Sequence, residues 1–119
     1  MKNQFYTMEW IAITESAQIQ DLIAKSETQP VVVFKHSPRC HISKFALRNF
    51  EASFTNSQNA PCYLVDVVNN RLESMEIKEA LQVHHESPQL IIVSKGRAAF
   101  NTSHESIDGP ETEKLLLRL

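Results

Sequence analysis

The most continuous run of apolar residues falls in the first third of the chain. Residues 31–35 read Val-Val-Val-Phe-Lys, a pattern typical of a strand that is buried on both faces. Lys95 and Gly96 predict a tight hairpin turn between an apolar run and a further strand at 97–101. The other short apolar runs that predict strands are 10–13, 62–67 and 90–93.

Apolar residues recur at helical spacing in four segments between and after these strands. The first segment begins at Thr14, a plausible N-cap, and should end near Lys25 and Ser26, ahead of Pro30. The third begins at Asn69 or Asn70, either of which is a plausible start. The residues expected on the faces of these two helices are Ile19, Leu22 and Ile23 in the first, and Leu72, Met75, Ile77 and Leu81 in the third.

The second helical segment runs from Cys40 to about Ala52, and the fourth covers 111–119. Cys40 is therefore predicted at the first turn of a helix that directly follows a buried strand. The residues expected to face the core are Ile42, Phe45, Ala46, Asn49 and Phe50 in the second helix, and Leu115, Leu116 and Leu119 in the fourth.

The order β-α-β-α-β-α-β-β-α predicts an α/β fold with one domain over residues 1–119. Parallel strands joined by helical crossovers come first, and an antiparallel hairpin completes a central mixed sheet flanked by helices. A length of 119 residues suits one domain rather than two.

Composition excludes several classes of function. The formal net charge of −2 gives no sign of a nucleic-acid-binding surface, and two glycines are too few for Gly-rich phosphate loops. No apolar stretch approaches the ~20 residues of a membrane-spanning helix. The first ten residues also lack the cationic start and apolar run of a signal peptide. We therefore expect a cytoplasmic protein with no nucleic-acid or membrane partner.

The segment His36-Ser37-Pro38-Arg39-Cys40-His41-Ile42-Ser43 carries the most specific chemistry. Unpaired backbone N–H groups and the helix dipole at a helix start favour a thiolate over a thiol. Arg39, and the nearby His36 and His41, are further potential sources of positive charge. Such surroundings can lower a thiol pKa from about 8.5 to roughly 3.5–7.5. Cys40 is therefore our candidate nucleophile, the alternative being a small buried residue at a helix start.

Ser43 stands where a dithiol oxidoreductase carries its second cysteine, so a mixed disulfide at Cys40 cannot be resolved within this motif. Its hydroxyl is placed either to bond to the Cys40 sulfur or simply to continue the helix. Cys62 is the other cysteine of the chain and begins a predicted buried strand, which favours a structural role over a resolving one.

A second motif, Glu86-Ser87-Pro88, directly precedes the strand at 90–93. Proline cannot donate within a central ladder, so Pro88 should mark a turn where this strand begins. A cis Ser87–Pro88 bond would account for it, whereas base rates favour an ordinary trans loop. The histidines match no zinc-site spacing, and no metal is expected. His85 and His104 remain candidates for the border of a cleft beside this turn.

Three segments together resemble the monothiol bacilliredoxins of the bacillithiol system. The resemblance covers nearly the whole chain from about Trp10 and rests on 37–43, 85–89 and Ser103-His104. The best-known members carry Cys-Pro-Ile-Ser at the active site, and this chain has His41 in place of that proline.

The resemblance implies a thioredoxin-like fold with Pro88 in cis, and a Ser87 backbone exposed to pair with an extended substrate. It also implies that Cys40 takes bacillithiol, or a similar low-molecular-weight thiol, from S-thiolated client proteins, and that a second thiol molecule regenerates it. No bound cofactor is expected. The residues expected to bind substrate are Ser37, Arg39, His41, Ser43, Ser87 and Pro88.

Two other functions stay open at this point. One is an iron–sulfur carrier like the monothiol glutaredoxins with Cys-Gly-Phe-Ser motifs, although His41 here replaces their glycine and crowds the approach. The other is a non-catalytic thioredoxin-fold interaction domain, for which Cys40 would be an unreactive thiol.

Overall fold

Residues 8–119 are described by a computed structural model. Met1 to Thr7 lie outside the described residues. The expectation about a signal peptide rests mostly on this segment. The described residues form a five-stranded sheet in the order β1-β3-β2-β4-β5. Its strands are β1 (Trp10–Ala12), β2 (Val31–His36), β3 (Cys62–Asp66), β4 (Gln89–Ser94) and β5 (Arg97–Ser103).

The sheet is mixed, as the sequence predicts. β3 pairs in parallel with both β1 and β2, whereas β4 runs antiparallel to β2 and to β5. The hairpin between β4 and β5 turns at Lys95 and Gly96, with φ values of 55° and 77°. Positive φ at both central residues fits a turn that follows the twist of the strands, and glycine adopts this conformation at least cost.

Four α-helices flank the sheet within residues 8–119: α1 (Ala17–Lys25), α2 (His41–Ser53), α3 (Arg71–Leu81) and α4 (Gly109–Leu117). A short 3₁₀ turn, His104–Ser106, lies between β5 and α4. The α/β order predicted from the sequence is therefore confirmed. No helix in the described part of the chain is long and apolar enough to cross a membrane.

The predicted start of α1 was wrong, and α3 begins after one of the two residues that the sequence left open. Ser16, not Thr14, occupies the N-cap position of α1, because the Gln18 side chain accepts hydrogen bonds from the backbone N–H groups of Thr14 and Glu15 and holds them in a turn. Asn70, rather than Asn69, precedes α3. The Asn69 amide donates instead to Asp66.

The hydrophobic core lies on both faces of the sheet. On one face, Val31 and Val33 of β2 pack among apolar residues of α1 and α3. On the other face, Val32 and Phe34 pack against α2 and α4. The Phe50 and Phe54 rings stack at 4.7 Å between centroids on this second face. β2 is thus buried on both sides, which explains its uninterrupted apolar pattern.

The predicted buried face of α2 was only partly right. Ser43, Ala46 and Phe50 form the buried stripe, whereas Ile42 and Phe45 are 54% and 64% exposed. The buried residues also follow a helical spacing of i, i+3, i+7. The first of them is a serine, which a pattern of apolar residues does not select, and this is why the predicted face was rotated. Three other residues expected to be buried are also exposed: Asn49, Leu72 and Leu119.

The register between β2 and β4 places the two predicted motifs side by side. Lys35 near the end of β2 pairs with Gln89 at the start of β4. The turn that leaves β2 toward Cys40 therefore lies beside Pro88, the residue that precedes β4. Because the strands are antiparallel, this adjacency follows from the pairing itself.

Candidate active site

Cys40 occupies the N-cap position of α2 and is partly exposed. Its backbone is extended, with φ −102° and ψ 125°. Its N–H donates to the Ser37 carbonyl at 3.1 Å, and its carbonyl accepts from Lys44 N–H at 3.0 Å, which closes the first helical turn. No side chain caps the helix start. The first N–H groups of α2 therefore remain free to stabilise negative charge on a sulfur at this position.

The Ser43 hydroxyl holds the turn between β2 and α2 together. Its oxygen accepts from Ser37 N–H at 2.9 Å and lies 2.7 Å from His36 Nδ1. It bonds to neither the Cys40 sulfur nor a helix carbonyl, so neither predicted alternative describes it. Ser43 is also fully buried, so it orders the motif from beneath rather than contacting a substrate directly.

His36 is a neutral partner in this network. Burial lowers its pKa below the ordinary value; Asp66 and Glu51 partly oppose this, and Lys44 adds to it. Since the Ser43 oxygen accepts from Ser37 N–H, its own proton is free to donate to an unprotonated Nδ1. The expectation that His36 adds positive charge beside Cys40 is therefore wrong at neutral pH. Its Nδ1 shares a hydrogen bond with the Ser43 hydroxyl, and the tautomer of the ring decides which of the two donates.

The turn before β4 contains a cis Ser87–Pro88 bond, as the resemblance implies and against the base rate for X-Pro bonds. Pro88 is buried, and its carbonyl accepts from His104 N–H at 3.1 Å. His104 Nε2 also lies 3.9 Å from a carboxylate oxygen of Glu86. His104 is thus fixed beside the proline turn, which confirms the expectation that it borders this region.

A groove of about 590 Å³ runs along α2 next to Cys40. Its walls are α2 on one side and the 3₁₀ turn on the other, and its lining includes His41, Ile42, Phe45, Arg48, His104 and Ile107. The apolar side chains that the sequence pattern assigned to the core therefore line an open surface. This surface begins at the residue that follows the candidate nucleophile.

Cys62 lies at the far end of the sheet. It begins β3 and pairs with Val32 near the start of β2, whereas Cys40 follows the end of β2. The four residue steps along the strand from Val32 to His36 already span about 13 Å, and a disulfide needs Cα atoms about 4.4–6.8 Å apart. Cys62 therefore cannot resolve a Cys40 mixed disulfide within the native fold.

The remaining predicted residues lie at or near the surface of the two turns. Arg39 and His41 are exposed, and Ser37 and Ser87 are partly buried. Within residues 8–119, no group of three or more His, Cys, Asp or Glu side chains could hold a metal ion. The structure thus brings the first motif, the proline turn and His104 together, and it separates Cys62 from them.

Sequence reasoning missed two features of this region. The first is the hydrogen bond between Ser43 and His36, which depends on how the turn folds in three dimensions. The separation of seven residues, from the end of a strand into the first turn of a helix, was the signal that could have indicated it. The second feature is the complete burial of the charged Lys35 side chain, for which the apolar pattern of the strand gives no functional reason.

Comparisons with known proteins agree with this arrangement. A sequence model of the family described as "Monothiol bacilliredoxin BrxC" matches residues 11–111. Among solved structures, a protein described as a candidate oxidoreductase with a thioredoxin fold is 29% identical, with a TM-score of 0.75 over 87% of this chain and 90% of that chain.

Two thioredoxins are similar in fold at lower identity. The Trypanosoma brucei brucei thioredoxin is 19% identical, with a TM-score of 0.68 over 99% of this chain and 96% of that chain. The Nicotiana alata thioredoxin NaTrxh is 16% identical, with a TM-score of 0.71 over 98% of this chain and 97% of that chain. The fold is therefore thioredoxin-like, and the family match supports a thiol redox role in general. The chain belongs to the monothiol bacilliredoxin family.

Proposed function

We propose that this protein is a monothiol thiol–disulfide oxidoreductase that removes bacillithiol, or a similar low-molecular-weight thiol, from S-thiolated proteins. The Cys40 thiolate attacks the sulfur of the small thiol in the mixed disulfide. A new S–S bond forms between Cys40 and the small thiol, the old S–S bond breaks, and the client cysteine leaves as a thiolate. A second small thiol then attacks this adduct, which restores Cys40 and releases a symmetrical small-molecule disulfide.

The observation that carries this proposal is the separation of the two sulfurs. Cys40 is partly exposed at a helix start, whereas Cys62 is buried and lies at the opposite end of β2. Ser43 stands in the place of a second active-site thiol, and its hydroxyl is engaged with His36. The resolving thiol must therefore come from another molecule, which suits a reaction in which a second small thiol releases a small disulfide.

The proline turn supports a protein client on the other side of Cys40. In this arrangement Ser87 offers its backbone to an extended client segment, while Arg39 and His41 approach from the opposite turn. The groove along α2 adds apolar contact area beyond the reacting atoms. These features favour a client bound as an extended chain, with its thiolated cysteine over Cys40.

A de-thiolation assay tests the proposal. Carrier proteins bearing bacillithiol or glutathione on one cysteine are incubated with the protein and with matching free thiol. We expect release with wild type and most of that rate with Cys62→Ala, no release with Cys40→Ser, and a rate that rises with free thiol. Loss of activity in Cys62→Ala, or full activity in Cys40→Ser, would refute the proposed role of Cys40.

A further inference from the structure

Buried polar atoms without a partner are concentrated at one place in this protein. Five buried side-chain nitrogen or oxygen atoms in the described residues lack a hydrogen-bond partner, and four of them lie close to the proline turn in sequence or in register. These four atoms are Lys35 Nζ, His85 Nδ1, Ser87 Oγ and Gln89 Oε1. Unpaired buried polar groups are rare and costly, so a cluster of them calls for a functional reason.

The topology places these side chains near the same end of the sheet. Lys35 and Gln89 are paired directly across β2 and β4, and side chains of directly paired residues lie on the same face of a sheet. Ser87 and His85 come two and four residues before Gln89. The Gln89 amide donates to the His84 carbonyl, which connects the start of β4 to the segment before the turn.

Lys35 reaches this cluster from the side of the sheet that faces away from Cys40. Its neighbours Phe34 and His36 face α2, so Lys35 points toward the face covered by α1 and α3. Its side chain is fully buried. The charged groups around it are Lys78 of α3, Glu86 of the turn and His85, while Arg71 also acts on His85.

We propose that Lys35 is a positioning residue for the proline turn: its amine, unpaired in the free protein, pairs with the unpaired oxygen of Ser87 or Gln89 when a protein substrate docks on the turn beside Cys40. This inference rests on the proposed function, because it assigns Lys35 to the docking of the client. Lys35 does not touch the reacting sulfur. The Lys35 amine is a hydrogen-bond donor and the Gln89 and Ser87 oxygens are acceptors, so the groups are chemically complementary.

Two substrates separate positioning of the turn from a general role in the fold. An S-glutathionylated or S-bacillithiolated carrier protein needs the turn, whereas hydroxyethyl disulfide reacts with Cys40 without offering a peptide backbone. For Lys35→Met we expect kcat/KM on the carrier protein to fall about tenfold, mainly through KM. We expect the rate with hydroxyethyl disulfide to stay within about twofold of wild type.

The carrier-protein defect should also depend on pH. Burial, and secondarily Lys78, lower the pKa of Lys35 to about 8, while Glu86 opposes this shift. Wild type is therefore cationic at position 35 at pH 7 and largely neutral at pH 9. We expect the KM of Lys35→Met divided by that of wild type to fall toward one between these pH values. Lys35→Gln keeps N–H donor groups without the charge, so its kcat/KM on the carrier protein should fall less than that of Lys35→Met. The same variant serves as the test if Lys35→Met does not fold.

The outcomes separate this inference from the proposed function. If wild type does not act on the carrier protein at all, the proposed function fails. If wild type acts but both Lys35 variants match its KM for the carrier protein, the assignment of Lys35 is overturned. An equal loss on both substrates overturns it as well, because that result would place Lys35 in the general stability of the fold.

Discussion

At the scale of single residues, the Cys62 sulfur lies inside the protein, where its thiol donates to the Ala60 carbonyl at 3.3 Å. Removal from water raises the pKa of Cys62 to about 12. Cys40 is partly exposed at a helix start with free backbone N–H groups. The two thiols of this chain therefore differ in access and in the electrostatics around the sulfur. Both differences matter for reactivity, because the thiolate is the reactive form.

We predict that iodoacetamide at neutral pH alkylates Cys40 much faster than Cys62 in the folded protein. A pKa raised from 9.0 to about 12 lowers the thiolate fraction of Cys62 about a thousandfold relative to an ordinary thiol. Labelling rates of Cys62→Ala and Cys40→Ala report each site separately, and unfolding in urea provides the control in which the two rates should converge. Equal rates in the native protein would contradict this difference.

Lys35 gives a second prediction, about stability and pH. Its pKa in the folded state is lowered to about 8 from 10.5, so between these values the unfolded chain binds more protons and stability rises with pH. Below pH 8 the buried cation carries its full penalty, about 3 kcal/mol for a shift of this size.

Urea unfolding of Lys35→Met and wild type at pH 7 to 10 measures this penalty. We expect Lys35→Met to be more stable at pH 7, with a difference that shrinks as the pH rises toward 10.5. Cys62 opposes this trend above pH 9 because its raised pKa makes the folded state bind more protons, but it does so in both variants and cancels in the difference. A difference that is independent of pH would contradict the account of Lys35.

At the scale of secondary-structure elements, the turn between β2 and α2 is ordered by a bond that spans both elements. The Ser43 hydroxyl on α2 links His36 at the end of β2 with the Ser37 N–H in the turn. Because Ser43 is fully buried, losing the hydroxyl leaves two polar groups without a partner. The rigidity of the turn that carries Cys40 therefore depends on this serine.

A double-mutant cycle of Ser43→Ala and His36→Phe tests that dependence. We expect Ser43→Ala alone to cost about 1–3 kcal/mol in the free energy of unfolding, because it leaves buried groups unpaired. The two substitutions together should cost less than the sum, with a coupling of about 0.5–3 kcal/mol. Additive losses would show that the hydroxyl and the imidazole do not stabilise each other.

The strands, the location of Cys40 and the buried face of α1 were predictable at this scale, and the buried face of α2 was not. The run at 31–35 is apolar on both faces, so its assignment as a buried strand did not depend on its neighbours. The face of α2 did depend on them, because the sheet covers Ser43 and leaves Phe45 exposed. The hydrogen-bond partners of Ser43 lie outside its helix, where a periodic pattern carries no information.

At the scale of the whole molecule, sheet topology decides which groups can react together. The antiparallel pairing of β2 with β4 brings the Cys40 turn beside Pro88, and the parallel pairing of β2 with β3 sends Cys62 to the other end. The sequence contained both motifs but not the strand order that joins them, since pairing is a long-range property. The fold thus isolates one accessible thiol, and in the proposed function its regeneration requires a thiol from outside the chain.

The most direct test of that claim is mass spectrometry of a single turnover. The protein is mixed with an equimolar S-bacillithiolated carrier protein in the absence of free thiol, and the products are alkylated and digested. The account predicts the mass of the small thiol on the Cys40 peptide and a free cysteine on the carrier. A small-thiol adduct on Cys62, or a disulfide between Cys40 and the carrier protein as the main product, would contradict it.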